Sequence, residues 1–155
     1  METNLCVAGF GGQGVMTLGK FLASATCDST DKNVTFFPSY GAEQRGGTAN
    51  CFVVISDEMV GAPLGDVMDD LIVMNGPSLQ KFLPTLKQGG TLFINSSIVP
   101  EEDIDRTDIK VVKSSGYRDG SGNGKCKSIK RNYAWCIRWL YRGCISGSCM
   151  GNNRA

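Results

Sequence analysis

The chain of 155 residues contains no histidine. Histidine is the usual general base near neutral pH, a member of serine-type triads and a common zinc ligand. Its absence excludes those catalytic and metal sites. Any chemistry in which this chain takes part must depend on other residue types or on groups that another molecule supplies.

No stretch of the sequence approaches the roughly 18–20 uninterrupted apolar residues that a helix needs to cross a bilayer. The segment Met1-Glu2-Thr3 leads straight into an apolar run and lacks the basic region of a secretory signal. We therefore expect no membrane partner and a cytoplasmic location.

Cysteine is frequent, with seven residues, but unevenly distributed. Cys6 and Cys51 lie inside apolar runs, where a free thiol behaves as a small buried hydrophobe, so we expect packed, reduced thiols there. The four cysteines near the C-terminus lack the C-x2-C spacing of common zinc and cluster sites, which argues against a metal site. They are Cys126, Cys136, Cys144 and Cys149.

Acidic and basic residues are separated along the chain. Residues 1–113 carry 8 Lys/Arg and 14 Asp/Glu, whereas residues 114–155 carry 8 Lys/Arg and one acid, Asp119. The second segment also holds both tryptophans and lacks valine, glutamate, proline, phenylalanine and threonine. We therefore expect one folded domain at 1–113 and an atypical basic, Cys/Trp-rich and poorly ordered tail at 114–155.

Short apolar runs alternate with helical segments in the first 113 residues. Residues 4–8 predict a buried strand, and residues 15–25 repeat apolar positions every three or four residues, as one face of a helix does. The alternation indicates the α/β class: a Rossmann-like three-layer domain with a mostly parallel sheet covered on both faces, and an aberrant C-terminal part. The sequence further predicts strands at 34–37, 48–55, 71–74, 91–95 and 109–112, a helix at 78–83 and a turn at 88–90.

Gly9, Gly11 and Gly14 match the pattern G-x-G-x-x-G, after a strand and at the start of a helix. There, missing side chains let a phosphate approach the backbone N–H groups of a helix N-terminus. Bound NAD would also require an acid at the end of the second strand, and residues 37–39 supply none. A dinucleotide is disfavoured; a phosphate site and a merely structural tight turn both remain open.

The loop after the second strand, residues 38–48, concentrates unusual side chains. It combines Tyr40, Glu43 and Arg45 with three glycines at the carboxyl end of a strand. Open α/β sheets bind ligands in crevices at such ends. An ordinary solvated loop also favours glycine and charge, so that interpretation stays open.

Five segments carry motifs in one colinear order: G-F-G-G-Q-G-V at 9–15, F-P-S-Y-G-A-E-Q-R-G-G-T-A-N at 37–50, V-V-I-S-D at 53–57, M-N-G-P-S-L at 74–79 and G-G-T-L-F-I-N-S-S at 89–97. Together they resemble the gamma subunit of 2-oxoacid:ferredoxin oxidoreductases, of the 2-oxoglutarate or 2-oxoisovalerate type. The resemblance covers most of residues 5–113.

The resemblance implies a subunit, not catalytic alone, of an enzyme that decarboxylates a 2-oxoacid oxidatively to an acyl-CoA and carbon dioxide and reduces ferredoxin. It implies no tightly bound cofactor on this chain, with thiamine diphosphate, magnesium and 4Fe-4S clusters on partner subunits. Expected partners are the thiamine-binding and other alpha-, beta- and delta-type subunits, with ferredoxin reached through the complex. By position, the residues that would face the shared cleft or contact coenzyme A are Gly9, Gly11, Gly12, Gln13, Gly14, Tyr40, Gly41, Glu43, Arg45, Gly46, Gly47 and Thr48.

The tail departs from the resemblance, and we expect it to be a frameshift product. Residues 113–119 can be encoded by AAA AGT TCC GGC TAC CGA GAT, and removing one A gives codons for Lys-Val-Pro-Ala-Thr-Glu, the segment with which the family is expected to continue. In that frame Trp135 and Trp139, which have a single codon each, both become glycine. A family-like Leu-Gly-Ala-x-x-Gly stretch has glycines at that spacing.

Other interpretations of the tail stay open. Basic and aromatic residues such as Lys130, Tyr133 and Trp135 could contact phosphates and stack on bases, but the acidic remainder shows no nucleic-acid fold, so we expect no nucleic-acid partner. The tail could also be genuine and divergent. For the chain as a whole, the alternative function is a non-enzymatic nucleotide- or phosphate-binding module with a basic tail.

Overall fold

A computed structural model describes residues 2–40, 48–61, 67–96, 98–99 and 104–114. The expectations for the tail fall outside these residues, apart from Ser114, and so do those for residues 41–47 of the loop. Within the described part, no helix is both long enough and apolar enough to cross a membrane.

The described residues form a six-stranded sheet with two α-helices and one short 3-10 helix. The predicted α/β class is confirmed, and each predicted strand and helix is present with ends shifted by a few residues. In chain order the elements are β1 (Glu2–Phe10), α1 (Val15–Ser29), β2 (Asn33–Tyr40), β3 (Thr48–Ser56), β4 (Met68–Val73), α2 (Gly76–Phe82), the 3-10 helix (Leu83–Thr85), β5 (Leu86–Asn95) and β6 (Lys110–Ser114).

The strands lie in the order β2-β3-β1-β4-β5-β6. The strands β1, β4, β5 and β6 run parallel, so the expectation of a mostly parallel sheet is confirmed. The strand β3 is antiparallel to both of its neighbours, β1 and β2. Only residues 41–47 join β2 to β3, and a parallel connection needs a crossover of a dozen or more residues, so this pair can only be a hairpin.

Each face of the sheet is covered by one helical layer. Alternate residues of β1 point to opposite faces, so Leu5 and Val7 join the cluster that contains α1, whereas Cys6 and Ala8 join the cluster that contains α2. Both clusters consist of buried apolar side chains, each including one cysteine and one methionine. The expected three-layer arrangement follows from this alternation.

The helix α1 approaches the sheet most closely at Gly19. A Cβ atom added there would collide with Cys51 Sγ and lie 2.8 Å from the Phe36 ring. The Cys51 thiol donates to the carbonyl oxygen of Val15 at 3.5 Å, and burial raises its pKa to about 12. Burial likewise raises the pKa of Cys6 to about 12, so the expectation of packed, free thiols at both positions is confirmed.

Arg106 fastens the segment before β6 to the layer around α2. Its Nη1 donates to the carbonyl oxygens of Leu83 and Leu86, at 2.9 and 2.6 Å. Its Nε and Nη2 donate to the two carboxylate oxygens of Asp108, which raises the pKa of Arg106 and lowers that of Asp108. One side chain thereby satisfies acceptors at the end of the helical segment and at the start of β5.

The predicted turn at 88–90 is wrong, because these residues belong to β5. The register passes from Met68↔Leu86 to Asp70↔Thr91, so four residues of β5 bulge opposite one residue of β4. Gly89 adopts a left-handed φ of 74° within this bulge, and its N–H donates to the carbonyl oxygen of Asp108 at 2.8 Å. Gly89 and Gly90 therefore belong to a bulge inside β5, not to a turn between two elements.

Candidate functional site

The predicted site residues that the structure describes lie at the carboxyl ends of the parallel strands or at the strand ends beside them. Residues 9–14, the glycine turn, connect β1 to α1, and Asn75 follows β4, the parallel neighbour of β1. The N–H of Met74 donates to the carbonyl oxygen of Ala8 at 2.9 Å, which continues the pairing up to this edge. Ligand crevices of open α/β sheets lie at such edges.

Gln13 holds the glycine turn closed. Its side-chain Oε1 accepts from the N–H of Phe10 at 2.7 Å, and its own N–H donates to the carbonyl oxygen of Phe10 at 3.2 Å. The same Oε1 also accepts from Nδ2 of Asn75 at 3.3 Å. The turn is therefore tied to the β4–α2 junction through one side chain.

Glycine is present in the turn for different reasons at different positions. Gly9 is required by packing, since an added Cβ would lie 2.8 Å from Gln13 Oε1 and 3.0 Å from both Met74 Cβ and Val15 Cγ2. Gly12 and Gly14 adopt left-handed φ values of 92° and 82°. Gly11 is exposed, is not among the glycines with positive φ, and has no atom of the described residues within 4 Å of the point that a Cβ would occupy. Nothing among the described residues explains a glycine at this position.

The N-terminus of α1 carries no cap. Gly14 occupies the N-cap position and has no side chain to cap the helix, and the first turn contains no acidic residue. The first N–H groups of a helix lack intrahelical acceptors, and the helix dipole places positive potential at this end. The end of α1 beside Gly11 therefore suits an anion.

Asn75 was not predicted as a functional position. It is 2% exposed, and its Oδ1 accepts from the N–H of Ser78 at 2.8 Å, so it caps α2, while its Nδ2 bonds to Gln13. The sequence carried the signal, because an asparagine followed by Pro77 near a helix start is typical of an N-cap. Asn75 positions the glycine turn from the neighbouring strand.

The ends of the loop 38–48 lie at the same edge as the glycine turn. The register pairs Thr48 with Phe10, and Ala49 with both Gly9 and Tyr40. Thr48 is thus next to the turn across the β1–β3 pair, and the backbone of Tyr40 lies two strands from β1. The remaining predicted loop residues, Gly41, Glu43, Arg45, Gly46 and Gly47, lie outside the described residues.

The sheet order bears on the dinucleotide hypothesis. Because β3 lies between β1 and β2, the end of β2 is two strand spacings, roughly 10 Å, from the end of β1. An acid at that end would lie one strand spacing further from the turn than in a dinucleotide-binding sheet, where the second strand adjoins the first. The geometry agrees with the lack of an acid at 37–39 in disfavouring NAD.

The sequence as a whole decides the family. The model of the family described as pyruvate ferredoxin/flavodoxin oxidoreductase matches residues 4–118. The chain belongs to this family. The resemblance that the motifs indicated is thereby confirmed.

Two curated members of this family show how the domain is used elsewhere. The ketoisovalerate oxidoreductase subunit VorA of Methanothermobacter thermautotrophicus is 46% identical over 96 residues, which are 62% of this chain and 20% of that protein. The 2-oxoglutarate synthase subunit KorC of Methanothermobacter marburgensis is 38% identical over 104 residues, 67% of this chain and 56% of that protein. The chain thus spans between one fifth and somewhat over half of these relatives.

Solved structures of the family share the fold. The gamma subunit of a keto/oxoacid ferredoxin oxidoreductase from Geobacter sulfurreducens is 26% identical with a TM-score of 0.61, over 73% of this chain and 60% of that one. The 2-oxoglutarate:ferredoxin oxidoreductase of Magnetococcus marinus, solved with 2-oxoglutarate, coenzyme A and succinyl-CoA bound, is 25% identical with a TM-score of 0.62. That match covers 73% of this chain and 20% of that one.

Proposed function

We propose that this chain is the gamma-type subunit of a 2-oxoacid:ferredoxin oxidoreductase, which converts a 2-oxoacid and coenzyme A to an acyl-CoA and carbon dioxide and passes the electrons to ferredoxin. Family membership supports this assignment over the alternative of a non-enzymatic phosphate-binding module. The chain binds no thiamine and is not catalytic alone. The cytoplasmic location expected from the sequence is part of the same proposal.

The observation that supports ligand binding is the presence of an exposed glycine at position 11. Neither its backbone conformation nor its packing requires glycine, and it stands beside the uncapped N-terminus of α1. A glycine of this kind leaves space for a phosphate to reach backbone N–H groups. Coenzyme A, which is bound in the Magnetococcus enzyme, carries such phosphates.

The proposed contact surface for coenzyme A or the shared cleft combines the glycine turn with the loop 38–48. In the turn, Gly11 leaves the approach open, and Gly9, Gly12, Gln13 and Gly14 maintain the backbone shape. The pairing of Thr48 with Phe10 supports a contribution from the loop. The loop residues in this proposal are Tyr40, Gly41, Glu43, Arg45, Gly46, Gly47 and Thr48.

The redox cofactors belong to partner subunits in this proposal. In the described part of the chain, no three Cys, Asp or Glu side chains come together in a way that could hold a metal ion. We therefore assign thiamine diphosphate, its magnesium ion and the 4Fe-4S clusters to the thiamine-binding and the alpha-, beta- and delta-type subunits. Ferredoxin is reduced through the assembled complex.

The test is a comparison of two glycine variants in the reconstituted complex. The chain is co-expressed with candidate thiamine-binding and ferredoxin-like subunits from the same organism, and 2-oxoacid-dependent reduction of ferredoxin is followed as coenzyme A is varied. We expect Gly11→Ala to raise KM for coenzyme A about tenfold, because the methyl group weakens a hydrogen bond to a charged group worth about 1.5–3 kcal/mol.

The matched control is Gly61→Ala. Gly61 is also exposed and has no atom of the described residues within 4 Å of an added Cβ, but it lies beyond β3, at the opposite end of that strand from Thr48. Its variant should leave KM unchanged. Equal KM values for the two variants would contradict the coenzyme A site, whereas a wild-type chain that neither assembles nor supports turnover would contradict the subunit assignment.

We also propose that residues 114–155 arise from a frameshift. The family model ends at residue 118, and the KorC relative extends well beyond the matched part. Sequencing of the gene across the Lys113 codon should show one A fewer, and the intact mass of the native polypeptide should differ from that of the 155-residue chain. Agreement of both with the written sequence would make the tail genuine.

A further inference from the structure

A groove lies between the outer side of α1 and the edge strand β2. Its volume is about 490 Å³. Phe36 and Pro38 of β2 form one wall, and Met16, Lys20 and Phe21 of α1 form the other. The groove is wide enough to receive one or two large side chains of another molecule.

The lining of the groove has one charge. Apart from Lys20, the described lining residues are apolar side chains and the hydroxyls of Thr17 and Ser24, with no acidic residue among them. The uncapped, positive end of α1 begins at Val15, one residue before Met16. A ligand that complements this groove therefore presents apolar surface together with a negative charge.

The groove is continuous with an open sheet edge. The strand β2 pairs only with β3, so its outer edge has no partner strand among the described residues. Large apolar side chains remain exposed on both sides of this edge, with Phe21 43% and Phe37 39% exposed. Exposed apolar surface beside an open edge is typical of a protein interface and would otherwise promote aggregation.

We infer that the α1–β2 groove docks another subunit of the oxidoreductase complex, through an apolar segment that carries a carboxylate facing Lys20. The inference rests on the proposed function. Charge complementarity selects this occupant over a second copy of the chain, because the groove residues include no acid that a copy could present to Lys20 in a contact between two grooves. In VorA the homologous segment is one fifth of a longer chain, which supports interfaces between this domain and other parts of the enzyme.

Docking there also has a consequence for the site. The groove begins at Met16 and Thr17, in the first turn of α1, directly after the glycine turn. A partner seated in the groove is held next to Gly11 and the uncapped helix end. The same contact that assembles the complex thereby sets the partner against the proposed coenzyme A surface.

The test reverses the charge at Lys20 and at a matched lysine. Lys20→Glu removes the complementarity without harming the helix, since lysine and glutamate have similar helix propensities and position 20 lies beyond the first turn of α1. Lys81→Glu makes the same change on α2, on the other face of the sheet. Affinity for the partner subunits is measured with the full chain by biolayer interferometry at low and high salt, and circular dichroism reports the fold of each variant.

We expect Lys20→Glu to weaken binding about tenfold or more at low salt, and Lys81→Glu to change it less than about twofold. Phe21→Ala, which keeps the charge, should weaken binding at both salt concentrations. Equal affinities for the wild type and for both groove variants would overturn the inference and leave the subunit assignment intact.

Two further outcomes identify other occupants. If light scattering shows that the isolated wild-type chain is a dimer that Phe21→Ala dissociates, the groove joins two copies and the inference is overturned. If the wild-type chain binds none of the partner subunits, the proposed function falls, and this inference falls with it.

Discussion

Two alanine substitutions within the glycine turn should have different effects on stability: Gly9→Ala should lower it, and Gly11→Ala should not. Gly9→Ala places a methyl group 3.0 Å from Met74 Cβ and Val15 Cγ2, closer than the 3.5–4.0 Å of an optimal carbon contact. It also displaces Gln13 Oε1, which accepts from the N–H of Phe10 at 2.7 Å. Gly11→Ala meets no atom of the described residues.

The magnitudes follow from these contacts. Overpacking costs about 1–3 kcal/mol and loss of a backbone hydrogen bond about 1 kcal/mol, partly offset by about 0.4–1 kcal/mol because alanine restricts the unfolded chain. We expect Gly9→Ala to lower the free energy of unfolding by about 2 kcal/mol. Gly11→Ala retains only the unfolded-state effect and should leave stability unchanged or raise it by up to about 1 kcal/mol.

The assay is equilibrium unfolding in urea, followed by circular dichroism. With a slope of about 2 kcal/mol per molar urea, Gly9→Ala should move the midpoint down by about 1 M. A Gly9→Ala midpoint equal to that of the wild type would refute the packing requirement at Gly9. A Gly11→Ala midpoint lowered as far as that of Gly9→Ala would refute the absence of a packing requirement at Gly11.

The same unfolding assay tests other contacts. Gly19→Ala should cost about 1–3 kcal/mol through its collision with Cys51, and the double variant with Cys51→Ala should recover part of that loss; additive costs would contradict the collision. At about pH 8, iodoacetamide should modify exposed Cys27 and spare buried Cys51 until urea is added, as peptide mass mapping can show. Burial raises the pKa of Cys51 from 9.0 to about 12, so the free energy of unfolding should fall as pH rises through that range. Arg106→Ala should lower the urea midpoint, because it removes hydrogen bonds of 2.9 and 2.6 Å to two backbone carbonyl oxygens. The pKa of Asp108 is lowered by Arg106, so Asp108→Asn should destabilise at about pH 7 and lose this effect at low pH, where wild-type Asp108 is itself protonated; a pH-independent difference would refute the ion pair.

Much of the fold could be predicted from residue periodicity. Runs of apolar residues bounded by glycine and polar residues located the strands, and the spacing of Val15, Leu18 and Leu22 located α1 and its buried face. These signals are local, because burial acts on each element separately. The class of the sheet followed from their order along the chain.

Features that depend on contacts between distant residues could not be predicted. In the sequence Gly19 looks like an ordinary helical glycine. The need for glycine there becomes clear only from its close contacts with Phe36 of β2 and Cys51 of β3. The role of Gln13 likewise depends on Asn75, 62 residues away. The bulge in β5 was mistaken for a turn because Gly89 has the same left-handed conformation in either setting.

The strand order also dictates how the chain can be built on the ribosome. The strand β1 is synthesised first but lies in the interior of the sheet, between β3 and β4. Its buried residues, such as Leu5 and Val7, therefore emerge as an apolar strand with two open edges until β3 ends at residue 56, and with one open edge until β4 ends at residue 73. This chain consequently passes through a stage in which the apolar β1 segment is exposed, and a chaperone that binds extended apolar peptides would find a site within β1.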